Sequence, residues 1–151
     1  MVHLTVPGNS DHKVSYSDRK TLLVLEDNPS VMMVLRLMLE TYSLIEASTA
    51  EQAICLFTER KRPVDLLVAD LTLPTSSGIQ VALLLRSKVP KLPVILTSGY
   101  PVSAWSYRDC ADLERLGSMS VSILEKPFQA HELSNAVREL LAPRAEKTRT
   151  A

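Results

Sequence analysis

Short unbroken apolar runs alternate along this chain with longer stretches in which apolar residues return every three or four positions. The runs lie at Thr21–Leu25, Ser43–Ala47, Val64–Asp70, Val94–Thr97 and Val121–Glu125. Runs this short and this continuous predict strands buried on both faces. Between them, Val31, Val34, Leu35, Met38, Leu39 and Tyr42 form one helical stripe, and Ala50, Ala53, Ile54 and Phe57 a second. Ile79, Ala82 and Leu83 mark a third helix ending near Lys88. A fourth is expected from about Ser103 to Leu116, before Gly117. Leu133, Ala136, Val137, Leu140 and Leu141 mark the fifth, which Pro143 ends.

The punctuation agrees with the pattern. Asn28-Pro29 supplies a capping side chain and a proline at the first helical position. Thr49 with Gln52 three residues later reads as a capping box. Pro63, Pro90 and Pro93 sit where the pattern changes. Five strands alternating with five helices predict an α/β domain, a doubly wound five-stranded parallel sheet in the order 2-1-3-4-5. The core domain is expected over 21–142, with a mobile N-terminal arm at 1–20 and a loose polar tail at 143–151. Val2, Leu4 and Val6 alternate as a docked edge strand would, the lesser expectation for the arm.

Composition narrows the classes of function. The chain has 151 residues, enough for one sizeable core, with 46% hydrophobic and 23% charged residues. Seventeen basic residues balance 17 acidic ones, so no global field draws it to nucleic acid or to an anionic membrane. The apolar runs are too short to span a bilayer and the N-terminus lacks a signal-peptide pattern. Cys55 and Cys110 have no metal-ligand spacing and read as reduced thiols of a cytoplasmic protein. His3, His12 and His131 are assigned no site.

Candidate chemistry gathers at the strand ends, where open α/β sheets bind ligands. Strand one ends in Glu26-Asp27, strand three in Asp70, strand four in Thr97-Ser98 and strand five in Lys126. The expected strand order makes these neighbours on one rim. Three carboxylates held close repel one another and call for a cation. An all-oxygen set suits Mg2+, which keeps several waters and a phosphate oxygen in its shell. An Asp carboxylate can act as nucleophile toward phosphorus, with Lys126 balancing the added charge and Thr97 bonding a phosphoryl oxygen. Each residue alone also has a plain reading as loop former, strand residue or solvated lysine.

Together, Glu26-Asp27, Asp70 with Pro74 and Gly78, Thr97-Ser98 and Lys126-Pro127-Phe128 resemble the signature of the bacterial two-component response-regulator receiver domain. The match covers about residues 20–141, in order and in strand context. The resemblance implies a flavodoxin-like fold, Asp70 as phosphoacceptor, and Glu26 and Asp27 as the metal-binding pair. It further implies a backbone carbonyl from Thr72 as metal ligand, Thr97 as switch hydroxyl, Lys126 as the phosphate-pairing lysine and a cis Lys126–Pro127 bond. A histidine kinase or histidine phosphotransfer protein is then the phosphodonor. The resemblance also implies a domain that catalyses only its own phosphorylation and dephosphorylation, and so no enzyme in the usual sense.

Three departures stand out. Ile123 occupies the switch position where the family usually has an aromatic, Ser77 stands where Asp often precedes the loop glycine, and the segment from Thr97 to Lys126 is longer than usual. Tyr100, Trp105 and Tyr107 in that segment read as a partner surface, or as residues packing an extra turn onto the sheet. About 20 residues before the first strand and about 10 after the last helix cannot hold a DNA-binding module, so output is expected through a downstream protein partner. Phosphorylation-dependent homodimerisation stays open. A receiver cut from a hybrid kinase is the lesser expectation, given Met1. The competing readings are a phosphate-independent scaffold and, further behind, an Asp-nucleophile phosphatase. The latter generally wants a second Asp two residues after the nucleophile, where this chain has Thr72.

Overall fold

A computed structural model describes residue 15 and residues 18–143. Most of the expected arm, and the tail from 144 onward, lie outside the described residues. The elements run β1 (Thr21–Leu25), α1 (Pro29–Met38), β2 (Ser43–Ala47), α2 (Ala50–Glu59), β3 (Leu66–Asp70), α3 (Gly78–Lys88), β4 (Val94–Ser98), α4 (Tyr107–Leu116), β5 (Val121–Glu125) and α5 (Ala130–Leu141). All strand pairs are parallel, in the order β2-β1-β3-β4-β5.

Strand alternation sorts the core into two layers. Leu23, Leu25, Leu67, Ala69, Val94 and Leu96 pack with Ala53 and Phe57 of α2 and Ile79, Ala82 and Leu85 of α3. Their neighbours Leu22, Val24, Leu66, Val68 and Ile95 pack on the other side with Met32 and Leu35 of α1 and Leu133 and Val137 of α5. β1, β3 and β4 are buried throughout, whereas the edge strands β2 and β5 are mostly half-buried. Each fully buried Leu contributes about 1.5–3 kcal/mol, so the layers can carry a few charged groups at the rim.

Side-chain caps start the helices. Asn28 Oδ1 accepts from the backbone N–H of Ser30 and Val31 at 2.9 and 3.2 Å, behind Pro29. Thr49 Oγ1 accepts from Gln52 N, and Gln52 Oε1 returns to Ser48 N, one residue earlier than the capping box predicted. Ser77 caps α3 by accepting from Ile79 N.

The structure corrects three details. β3 begins at Leu66, and Asp65 just before it bonds Thr21 of β1 twice, its amide donating to Thr21 O and its Oδ2 accepting from Thr21 N, both at 2.8 Å. In α1, Val34 is exposed and Met32 is buried instead, because the buried face follows Met32, Leu35 and Leu39. The expected helix from Ser103 is a single 3-10 turn, Val102–Ala104, then a break at Trp105, and only then α4. Ser106 caps that helix by accepting from Asp109 N, a start signal legible in the sequence.

At the edge of the sheet away from the strand carboxyl ends, one side chain ties several segments together. The Arg86 guanidinium of α3 donates to the carbonyls of Leu92, Leu116, Met119 and Ser120 at 2.9, 3.0, 2.9 and 3.2 Å.

Candidate functional site

The rim at the carboxyl ends of β1, β3, β4 and β5 holds the polar residues that the core excludes. Asp70 and Thr97 are direct register partners across β3 and β4. Leu71 N donates to Thr97 O at 2.8 Å, and Lys126 N donates to Ser98 O at 2.7 Å, so the loops after β3 and β5 both leave anchored to the end of β4. Glu26 is 2% exposed, Asp70 8% and Thr97 2%, while Asp27 faces solvent.

Glu26, Asp27 and Asp70 each offer a carboxylate oxygen, all within 4.8 Å of one another. Lys126 reaches into this cluster, its Nζ donating to Glu26 Oε2 and to Asp70 Oδ2, both at 3.1 Å. The Lys126–Pro127 peptide is cis. Two backbone amides complete the cradle: Asn28 N donates to Glu26 Oε1 at 3.1 Å and Thr72 N to Asp70 Oδ1 at 3.2 Å.

Burial pushes the Glu26 carboxyl above the usual glutamate range and the nearby Asp70 charge adds to this, against the opposing pull of Asn28 N–H and Lys126. Burial alone would lower the Lys126 pKa, but the bond to Glu26 and the charges of Asp70 and Glu26 outweigh it and hold the ammonium above its usual value. The site therefore keeps its cation firmly and holds three acidic groups around it. Three hard oxygen donors from two loops, in excess over one ammonium, fit an Mg2+ ion that retains much of its water.

The other candidates separate. The Ser98 hydroxyl is committed to its own loop, donating to Tyr100 O at 2.7 Å and accepting from Tyr100 N at 3.2 Å. Ile123 is half-buried and packs against the core layer facing α2 and α3. The three aromatics do not form one surface. Trp105 is 7% exposed and belongs to that same core layer, which removes it from a partner surface. Tyr107 is 93% exposed at the start of α4. Tyr100 lies between these extremes and bonds Thr72 through its phenol, with Thr72 Oγ1 and Tyr100 Oη 2.8 Å apart.

An apolar cavity of about 350 Å3 opens beside the site, lined by Val31, Val34, Leu35, Met38 and Phe128 with Asn28 and Lys126 at its polar end. The exposed Met33 and Leu37 extend this apolar face along α1. The apolar stripe in the sequence does not mark this face, because periodicity alone places Val34 with the core residues.

The model of the response regulator receiver domain matches residues 22–138. The chain belongs to that family. It is 35% identical over 115 residues to the response regulator GtcR of Aneurinibacillus migulanus, covering 75% of this chain and 44% of that one. It is 30% identical over 127 residues to the sensor kinase CckA of Brucella abortus, covering 83% of this chain and 13% of that one. The receiver thus spans less than half of either relative. The signal receiver domain of an HD domain-containing protein from Pseudomonas fluorescens Pf-5 superposes with a TM-score of 0.70 at 26% identity, over 82% of this chain and 94% of that one. A receiver domain of two-component signalling accordingly carries the rim described above. Among the described residues, no helix of this receiver is long and apolar enough to cross a membrane.

Proposed function

We propose that this receiver takes a phosphoryl group onto Asp70 from a phosphohistidine on a kinase or phosphotransfer protein. The observation that carries this reading is Lys126 Nζ at 3.1 Å from both Asp70 and Glu26, within a carboxylate cluster at the rim. An Asp70 oxygen attacks the phosphorus in line. The P–N bond to the imidazole breaks, and the leaving histidine keeps the electron pair and takes up a proton. Hydrolysis later adds water to phosphorus and breaks the P–O bond to Asp70, which restores the carboxylate and releases inorganic phosphate.

The residues divide the work. Glu26, Asp27, Asp70 and the backbone carbonyl of Thr72 would hold Mg2+, which when bound offsets carboxylate and phosphoryl charge. Lys126 passes from pairing two carboxylates to pairing a phosphoryl oxygen. Thr97, the register partner of Asp70, donates its hydroxyl to another. Ser98 acts through the loop shape it fixes rather than through a free hydroxyl. The apolar α1 face beside the site is the surface we assign to the phosphodonor. Output then runs through protein contacts, a homodimer among them, in the cytoplasm, where the exposed thiols of Cys55 and Cys110 stay reduced.

Intact mass after incubation with magnesium and phosphoramidate tests the reading. One phosphoryl adduct is expected on wild type and none on Asp70→Asn or with chelator. A second reading, a phosphate-independent scaffold, draws on Ile123, half-buried against the core, which leaves no aromatic at the switch position to move. Partner binding indifferent to Asp70→Asn and to beryllofluoride would favour it.

A further inference from the structure

We propose that Tyr100 is a positioning residue that ties the Asp70 loop to the start of α4 and makes the buried Trp105 respond to the state of Asp70. The proposal rests on Asp70 being the phosphoacceptor and adds the route by which its state leaves the site.

Tyr100 is held at both of its ends. Its phenol lies 2.8 Å from Thr72 Oγ1, and Thr72 N in turn donates to Asp70 Oδ1. Its carbonyl accepts from Trp105 Nε1 at 3.2 Å and from Ser98 Oγ at 2.7 Å. A chain of four residues, Asp70, Thr72, Tyr100 and Trp105, therefore links the carboxylate to an indole in the core. A second input reaches the same tyrosine through Ser98, which follows Thr97, the register partner of Asp70. Thr72 is also paired with Ser77, the residue that caps α3, so the Asp70 loop is closed on the α3 side and open to adjustment toward Tyr100.

Adding a phosphoryl group to Asp70 brings charge and three new acceptor oxygens to this point. They draw on Lys126 Nζ, on the Thr72 amide that holds Asp70 Oδ1, and on the hydroxyl of Thr97, the register partner of Asp70. Either shift alters the geometry in which Thr72 and Ser98 hold Tyr100. The Ile123 side chain has no polar atom to join such a relay from β5, whereas the hydroxyl pair Thr72–Tyr100 bridges the two loops directly. Trp105 is the chain's single tryptophan, so its emission reports this segment alone.

The test follows Trp105 fluorescence in the 151-residue chain with magnesium, before and after beryllofluoride, alongside intact mass with phosphoramidate. Wild type is expected to change its emission. Tyr100→Phe removes only the hydroxyl; it should still form the mass adduct but lose the emission change by at least about twofold. Thr72→Val should lose it similarly, the double variant no more than either single one, and Thr72→Ser should retain it. Full emission change in Tyr100→Phe, or additive losses in the double variant, would overturn the link. The resting-state cycle is read separately, as the emission maximum of the four proteins without ligand. Non-additivity there supports the contact even if no adduct forms, and additivity overturns it, so failure of the phosphoacceptor reading stays distinguishable.

Discussion

Gly78 lies so close to the backbone carbonyl of Asp70 that a single added methyl would overlap its oxygen. The first residue of α3 therefore packs directly beneath the residue that carries the site, with Gly78 N donating to Leu71 O at 3.1 Å. Gly78→Ala must displace either α3 or the end of β3. We expect a loss of about 1–3 kcal/mol in urea denaturation. Slower phosphorylation from phosphoramidate should accompany it.

Asp70→Asn removes one of three crowded carboxylates while leaving Lys126 its bond to Glu26. Metal-free protein should gain about 1 kcal/mol in stability as like-charge repulsion falls. Denaturation with chelator measures this. A clear loss instead would mean that the Lys126–Asp70 bond contributes more than the repulsion costs.

Magnesium affinity should depend on pH through Glu26, whose folded-state pKa lies above the ordinary value of 4.5. The metal competes with that proton, so affinity is complete above the raised pKa and is lost as pH falls through it. Weakening should therefore begin at a higher pH than an ordinary glutamate would give, and Glu26→Gln should flatten the profile. The same shift makes ionised Glu26 a cost to the metal-free fold, absent below 4.5 and complete above the raised value. Metal-free stability should fall as pH rises across that window. Titration calorimetry and melting with chelator check the two halves.

Arg86→Leu would leave four carbonyls, those of Leu92, Leu116, Met119 and Ser120, without their shared donor. A cost of about 3 kcal/mol is expected, since several partly buried acceptors lose a charged partner at once. Thermal or urea unfolding measures it. A near-neutral result would show that water replaces the guanidinium there.

The architecture was legible because alternate buried residues and proline punctuation act locally. Leu22 to Leu25 needed no partner to announce a two-sided strand, and Asn28-Pro29 no partner to announce a helix start. Five strands alternating with five helices in a chain this short pointed to the doubly wound order, and that order brings Glu26, Asp70, Thr97 and Lys126 to one rim. What escaped depends on distant groups. Whether Met32 or Val34 faces inward is decided by how α5 lies against α1, not by periodicity alone. The late start of α4 had a local signal in Ser106 and Asp109, but the burial of Trp105 ahead of it depends on the carbonyl of Tyr100. Arg86 serves carbonyls 6 to 34 residues away, and no pattern of side chains marks those.

The clamp at Arg86 has a mechanical consequence for α4. It holds Leu116, the last residue of that helix, while the other end begins just beyond Tyr100 and Trp105. A ten-residue helix is a rod about 15 Å long, here tied at its far end. A shift that starts at the rim would therefore have its fixed point at Leu116, and its reach toward Tyr107, the most exposed ring in the segment, would be set by how α4 packs along α3.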